Sequence, residues 1–99
     1  MKIYIAGRIT GLKTYEYRLK FGYRAAKLKE DGHKVINPVH IGEYLLSEGF
    51  DYEDIMKHCF SSIDVCDAVY MLKDWKDSPG ATREHDYAKI TGKEIIYEE

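Results

Sequence analysis

Lys2-Ile3-Tyr4-Ile5-Ala6-Gly7-Arg8-Ile9-Thr10-Gly11 is the stretch from which the fold is read. Its first five residues are rich in β-branched and aromatic side chains, without the apolar/polar alternation of a strand that faces water on one side. They predict a strand buried on both faces, as in a parallel sheet. Gly7 stops it, and Gly7 and Gly11 bracket a short loop before a helix that starts at about Lys13 or Thr14. A strand, a glycine loop and a helix start form half of a phosphate or sugar site. The spacing lacks both the Lys-Ser/Thr of a P-loop and the three glycines of the dinucleotide fingerprint, so it specifies neither.

Outward from this stretch, Tyr17, Phe21, Ala25 (or Arg24) and Leu28 recur every three or four residues and give the first helix an inward stripe to about Asp31. Gly32 suits a left-handed C-terminal cap, and Lys34 to Asn37 is a second strand ended by Pro38. Strand, helix and strand imply a right-handed parallel crossover. From Val39 to Phe50 the pattern weakens, with one or two helical turns around Ile41, Tyr44 and Leu45. Asp51 and Asp54 then read as a cap and an acidic first turn, followed by the apolar face Tyr52, Ile55, Met56, Cys59, Phe60, Ile63. A third strand covers Asp67 to Leu72. A loop leads to Pro79, a helix runs from Gly80 to Thr91, and the fourth strand is Glu94 to Tyr97. Residues 1–99 thus form a single domain, a doubly wound (Rossmann- or flavodoxin-like) three-layer α/β sandwich with a four-stranded parallel sheet in order 2-1-3-4. Ligands of such sheets bind at the carboxyl ends of the strands, where the order reverses. The loops Gly7–Gly11 and Lys73–Pro79 are expected to meet there.

The charge balance, fifteen basic against seventeen acidic residues for a net −2, provides no basic field for a phosphate backbone. Duplex nucleic acid is therefore not an expected partner. No apolar run approaches the ~20 residues of a membrane span and no charged-then-apolar leader stands at the start, so the expectation is a cytoplasmic protein without a membrane partner. Cys59 and Cys66 have neither redox nor zinc spacing, and with His58 and His85 they match no metal pattern; buried free thiols are expected. So small a domain gains from self-association, and nine tyrosines supply residues for an interface or a ligand pocket, so a homo-oligomer is expected.

Chemistry concentrates between Trp75 and Ala88. Ser78 is placed to cap a helix with Pro79 in its first turn, and Gly80 lets a ligand approach the backbone. Glu84 shares a helical stripe with Ala81 and Ala88, so a carboxylate interrupts the face that packs on the sheet. There it serves either as nucleophile or general base, or as an ordinary helix glutamate paired with Arg83 or Arg8. Tyr4 either orients Glu84 or packs in the strand. Trp75 either stacks on a base or is buried against the helix. Arg8 either meets a phosphate or is solvated, and Asp77 and Ser78 either bind hydroxyls or only shape the turn.

Ile-Tyr-Ile-Ala-Gly-Arg-Ile-Thr-Gly at 3–11, Val-Ile-Asn-Pro at 35–38, Cys-Asp-Ala-Val-Tyr-Met-Leu at 66–72 and Trp-x-x-Ser-x-Gly-Ala-x-x-Glu-x-x-x-Ala at 75–88 together resemble the nucleoside 2-deoxyribosyltransferase-like proteins, in the small branch found in bacteriophages and prophages. The resemblance implies a nucleoside or nucleotide ligand, no cofactor and no metal. It implies that Glu84 attacks the anomeric carbon with help from Tyr4, and that the glycosyl-enzyme passes to a second base or to water. With Glu84 and Tyr4 in those roles, Gly7, Arg8, Ser78 and Gly80 are expected to hold the sugar or phosphate and Trp75 and Asp77 to face the base. The chain departs from that pattern in two places. Ser78, beside Asp77, replaces an aspartate that assists the departing base, and His58 and Cys59 stand where another aspartate is carried. A binding protein without turnover is the alternative these departures imply.

Overall fold

The structure is a computed structural model that describes Met1–Glu99. Four parallel strands, β1 (Lys2–Ala6), β2 (Lys34–Ile36), β3 (Ala68–Met71) and β4 (Glu94–Tyr97), lie in the order β2-β1-β3-β4. Tyr4 stands opposite Ile36 on one side and Val69 on the other. The helices are α1 (Thr14–Glu30), α2 (Val39–Ser47), α3 (Tyr52–Asp64) and α4 (Pro79–Ile90), with a single 3-10 turn at Trp75–Asp77. The doubly wound three-layer architecture read from the sequence is the observed one, and the strand order is the expected one.

Strand alternation sorts the core into two layers. Ile3 and Ile5 of β1 and Ala68 and Tyr70 of β3 face α1, whose Phe21, Ala25 and Leu28 close that side. Tyr4 and Ala6, with Val69 and Met71, face the other layer, where Cys59 and Ile63 of α3 and Ala81 and Ala88 of α4 cover them. The central strands are buried on both faces because each face has its own helical layer, which is why their sequences do not alternate in polarity. Gly32 has φ +91°, as its capping role requires. At the head of α3, Asp51 and Asp54 form a reciprocal capping box.

The region from Val39 to Phe50 departs from the expectation. Instead of one or two helical turns it holds a longer, nine-residue helix, α2, whose Val39 and Leu45 are buried. Asn37 Oδ1 accepts a hydrogen bond from the Val39 amide at 3.1 Å and sets the start of this helix beyond Pro38. No helix of the protein is long and apolar enough to cross a membrane.

Candidate active site

Over the carboxyl end of β1 the chain leaves a cavity of about 480 Å³, within the range of small-molecule sites. Its floor is made by Tyr4, Cys59 and Glu84. One wall combines Gly7, Ile9 and Thr10 with Tyr17 and Phe21 of α1, and the opposite wall comes from α3 through Tyr52, Ile55 and Met56. Ser78 to Ala81 close a third side, and Val39, Gly42, Glu43 and Leu46 of α2 form the fourth. Hydrophobic side chains dominate the lining.

Glu84 reaches this floor because its helix lies close to the sheet. Ala81 and Ala88, both essentially inaccessible, are the only side chains between α4 and the strands on that stripe. A longer residue between two alanines is driven down onto β1, where the Tyr4 hydroxyl donates a hydrogen bond to Glu84 Oε2. Glu84 is 6% exposed and Tyr4 fully buried. The ordinary partners open to Glu84 are engaged elsewhere. Arg83 forms a two-pronged pair with Glu53 at 3.0 Å, and the Arg8 guanidinium donates to the Thr10 carbonyl at 3.1 Å. Without a cation beside it, burial pushes the Glu84 carboxyl up to about 7, opposed by hydrogen bonds from Tyr4 and Cys59. Burial, and then the charge of Glu84, hold the Tyr4 hydroxyl well above its usual range, so it remains a donor. The same two causes push the Cys59 thiol up to about 12. The floor is therefore a carboxyl group poised between its two protonation states at neutral pH, held by a phenol and a thiol that keep their protons.

Of the other residues singled out from the sequence, Gly7, Ser78 and Gly80 line the cavity with Tyr4 and Glu84. Gly7 is required by packing, because a Cβ there would sit 2.7 Å from Leu72 Cδ1. Ser78 caps α4 by accepting from the Ala81 amide at 3.1 Å. Three residues are not brought into the lining. The Arg8 side chain folds back over its own loop, near enough that a Cβ on Gly11 would meet Nη2 at 2.7 Å. Trp75 stacks on His85 with ring centroids 4.3 Å apart, and His85 in turn meets the Tyr97 hydroxyl at 2.7 Å, so the indole packs toward β4. Asp77 is exposed in the 3-10 turn. The first expected loop thus borders the cavity, but of the second only the Ser78–Pro79 end does. The place of the missing part is taken by α2 and α3.

Sequence reasoning did not reach Tyr17, Val39, Gly42, Glu43, Leu46, Tyr52 or Met56 as site residues. A signal existed in Val39, Gly42 and Leu46, whose spacing of three and four is one helical stripe. Cys59 is the buried free thiol that its spacing predicts, and it lies beside Glu84 on the cavity floor.

Fold and floor together define a doubly wound α/β domain with a buried carboxyl–phenol pair beneath an apolar ligand cavity at the strand ends. The chain belongs to the family described as a domain of unknown function, DUF4406, which matches residues 1–97. No curated protein and no solved structure matches the chain significantly.

Proposed function

We propose that the cavity binds a nucleoside or nucleotide and that Glu84 is the nucleophile in cleavage or transfer of its N-glycosidic bond. The observation that carries this reading is the Tyr4–Glu84 pair, a carboxyl free of any cation on the floor of an apolar cavity. In its ionised form Glu84 attacks the anomeric carbon. The bond from that carbon to the base nitrogen breaks, and the base leaves with the electron pair and takes a proton from water. The resulting glycosyl ester is then opened by water or by the nitrogen of a second base, which restores the carboxylate. Tyr4 holds one carboxylate oxygen in place. The motif likeness to nucleoside 2-deoxyribosyltransferase-like proteins supports the same reading.

Binding without turnover is the second reading, favoured by one feature of the site. Ser78, which stands where an acid assists base departure, is not acidic and has its oxygen committed to the cap of α4. Incubation with a panel of deoxynucleosides and their 5′-monophosphates, with and without an acceptor base, separates the two. Release of free base by wild type but not by Glu84→Ala establishes catalysis. A thermal shift with no release selects the binding reading, and neither response refutes both.

Two further elements belong to this proposal. Tyr15, Leu19 and Tyr23 are exposed at intervals of four on α1, a stripe that suits association with a second copy of the chain; light scattering at several concentrations tests it. The free thiols Cys59 and Cys66 suit a reducing compartment such as the cytoplasm.

A further inference from the structure

The cavity wall carries a second carboxylate that the nucleophilic reading does not use. Glu43 of α2 lines the cavity with Tyr17, and the two are joined by a hydrogen bond from the Tyr17 hydroxyl to Glu43 Oε2 at 2.7 Å. From outside the lining, Arg18 donates its Nε to the same oxygen at 3.0 Å and its Nη2 to Oε1 at 2.7 Å. This fork fixes the carboxylate, and it also holds Glu43 below the usual carboxylate range, with the Tyr17 bond as the next cause. The Arg18 side chain is 57% exposed and that of Glu43 27%. The pair is therefore a dipole with its negative end in the wall and its positive end in solvent. Oε2 already accepts twice and Oε1 once, so Oε1 retains an open acceptor position for a ligand N–H or O–H.

Nothing else in the lining favours an anion. It contains no Lys, Arg or His. The start of α4 forms one side, but its amides are nearly spent. Pro79 has none, Ala81 is capped by Ser78 Oγ and the Thr82 amide is bound to the Ser78 carbonyl, which leaves only Gly80 free. A phosphate dianion placed here would exchange its water for neutral donors alone and would face carboxyl groups on the floor and on the wall.

Resting on the nucleoside reading above, we propose that Glu43, clamped by Arg18 and Tyr17, is a specificity-determining residue that makes the cavity prefer an uncharged nucleoside over its 5′-phosphate. Its carboxylate accepts a hydrogen bond from the nucleoside and repels the phosphate.

The test is calorimetric titration of the whole chain with each deoxynucleoside of a panel and with its 5′-monophosphate, for wild type, Glu43→Gln and Arg18→Gln. Retained thermal transitions establish that the variants fold. Wild type is expected to bind at least one nucleoside about tenfold or more tightly than its monophosphate, the scale of a like-charge penalty across a partly screened wall. That ratio shrinks in Glu43→Gln, which keeps the shape and loses the charge, and holds or grows in Arg18→Gln, which removes the cation paired with Glu43. Equal or tighter binding of the monophosphate by wild type overturns this inference and leaves the nucleotide-binding reading standing. A preference for the nucleoside that survives unchanged in Glu43→Gln overturns the assignment to Glu43. Absence of binding by every member of the panel overturns the inference together with the reading beneath it.

Discussion

Replacing Glu84 by Gln converts the unusual ionisation of the site into a stability measurement that needs no substrate. In the unfolded chain Glu84 titrates near the ordinary carboxyl value of 4.5, and in the folded chain near 7. Between those values the folded state holds a proton that the unfolded state has released, so stability falls as pH rises. Below about pH 4.5 the contribution is flat because both states are protonated, and above about pH 7 it is flat again at its least favourable level. The full span is roughly 3 kcal/mol, and about 2.5 kcal/mol of it lies between about pH 5 and pH 8. Gln carries no titrating proton but fills nearly the same volume, so any cost of the amide is a constant offset at every pH. The assay is urea unfolding of wild type and Glu84→Gln across that range, taking the difference at each pH so that the histidines and other titrating groups cancel. The variant should gain on wild type steadily with rising pH, by an amount worth roughly 15 °C in melting temperature for a domain of this size. A difference that stays flat from pH 5 to pH 8 would show that Glu84 ionises normally and would refute the argument that burial without a cation raises its proton affinity.

Other perturbations probe separate parts of the same arrangement. Tyr4→Phe deletes the hydrogen bond that favours the ionised carboxylate, so the pH midpoint of Glu84 should rise above its wild-type position, read by the same unfolding series or by carboxyl NMR. If cleavage occurs, the pH–rate profile of wild type should climb through about 7 as Glu84 ionises, and that of Tyr4→Phe should climb at higher pH. Gly7→Ala forces a methyl group against Leu72, and a loss of about 1–3 kcal/mol in denaturant unfolding is expected. Ser78→Ala removes the cap of α4 and should cost about 1 kcal/mol by the same measurement. Trp75→Ala should lower the melting temperature by breaking the His85 stack, yet leave ligand affinity within about twofold in calorimetry, because the indole lies outside the lining.

The sheet was legible because its strands obey one constraint at a time. Ile3, Tyr4, Ile5 and Ala6 are all buried, and a run of four such residues between the charged Lys2 and Gly7 is what a strand covered on both faces requires. α1 and α4 were legible for the complementary reason, that each buries one stripe against a flat sheet. α2 was not, because its apolar residues serve two surfaces. Val39 and Leu45 pack inward, whereas Val39, Gly42 and Leu46 line the cavity, and Glu43 between them is held by Arg18. A helix that borders a void on one side and a core on another has no single hydrophobic direction, so its periodicity is diluted in the residues that make the site.

The site shows the same division more sharply. Glu84 could be found in the sequence because a carboxylate between two alanines on a sheet-facing stripe breaks a pattern, and a broken pattern is visible without coordinates. Its chemistry could not, since the proton affinity depends on what is missing around it. Arg83 lies one residue away in sequence yet is committed to Glu53, and Arg8 is turned onto Thr10. Trp75 illustrates the converse. A loop tryptophan near a cavity has two faces open to it, and the choice was made by His85, whose ring offers a stacking partner on the β4 side. Polar neighbours in sequence therefore carried less information about this cavity than the competition among them in space. That competition leaves one buried carboxyl without a cation, Glu84, and gives the wall carboxylate, Glu43, a cation on its solvent side. The asymmetry separates the roles of two residues of identical type. Glu84, held near neutrality by burial, can exchange between nucleophile and acid, whereas Glu43, kept ionised by its fork, can only accept hydrogen bonds and repel anions.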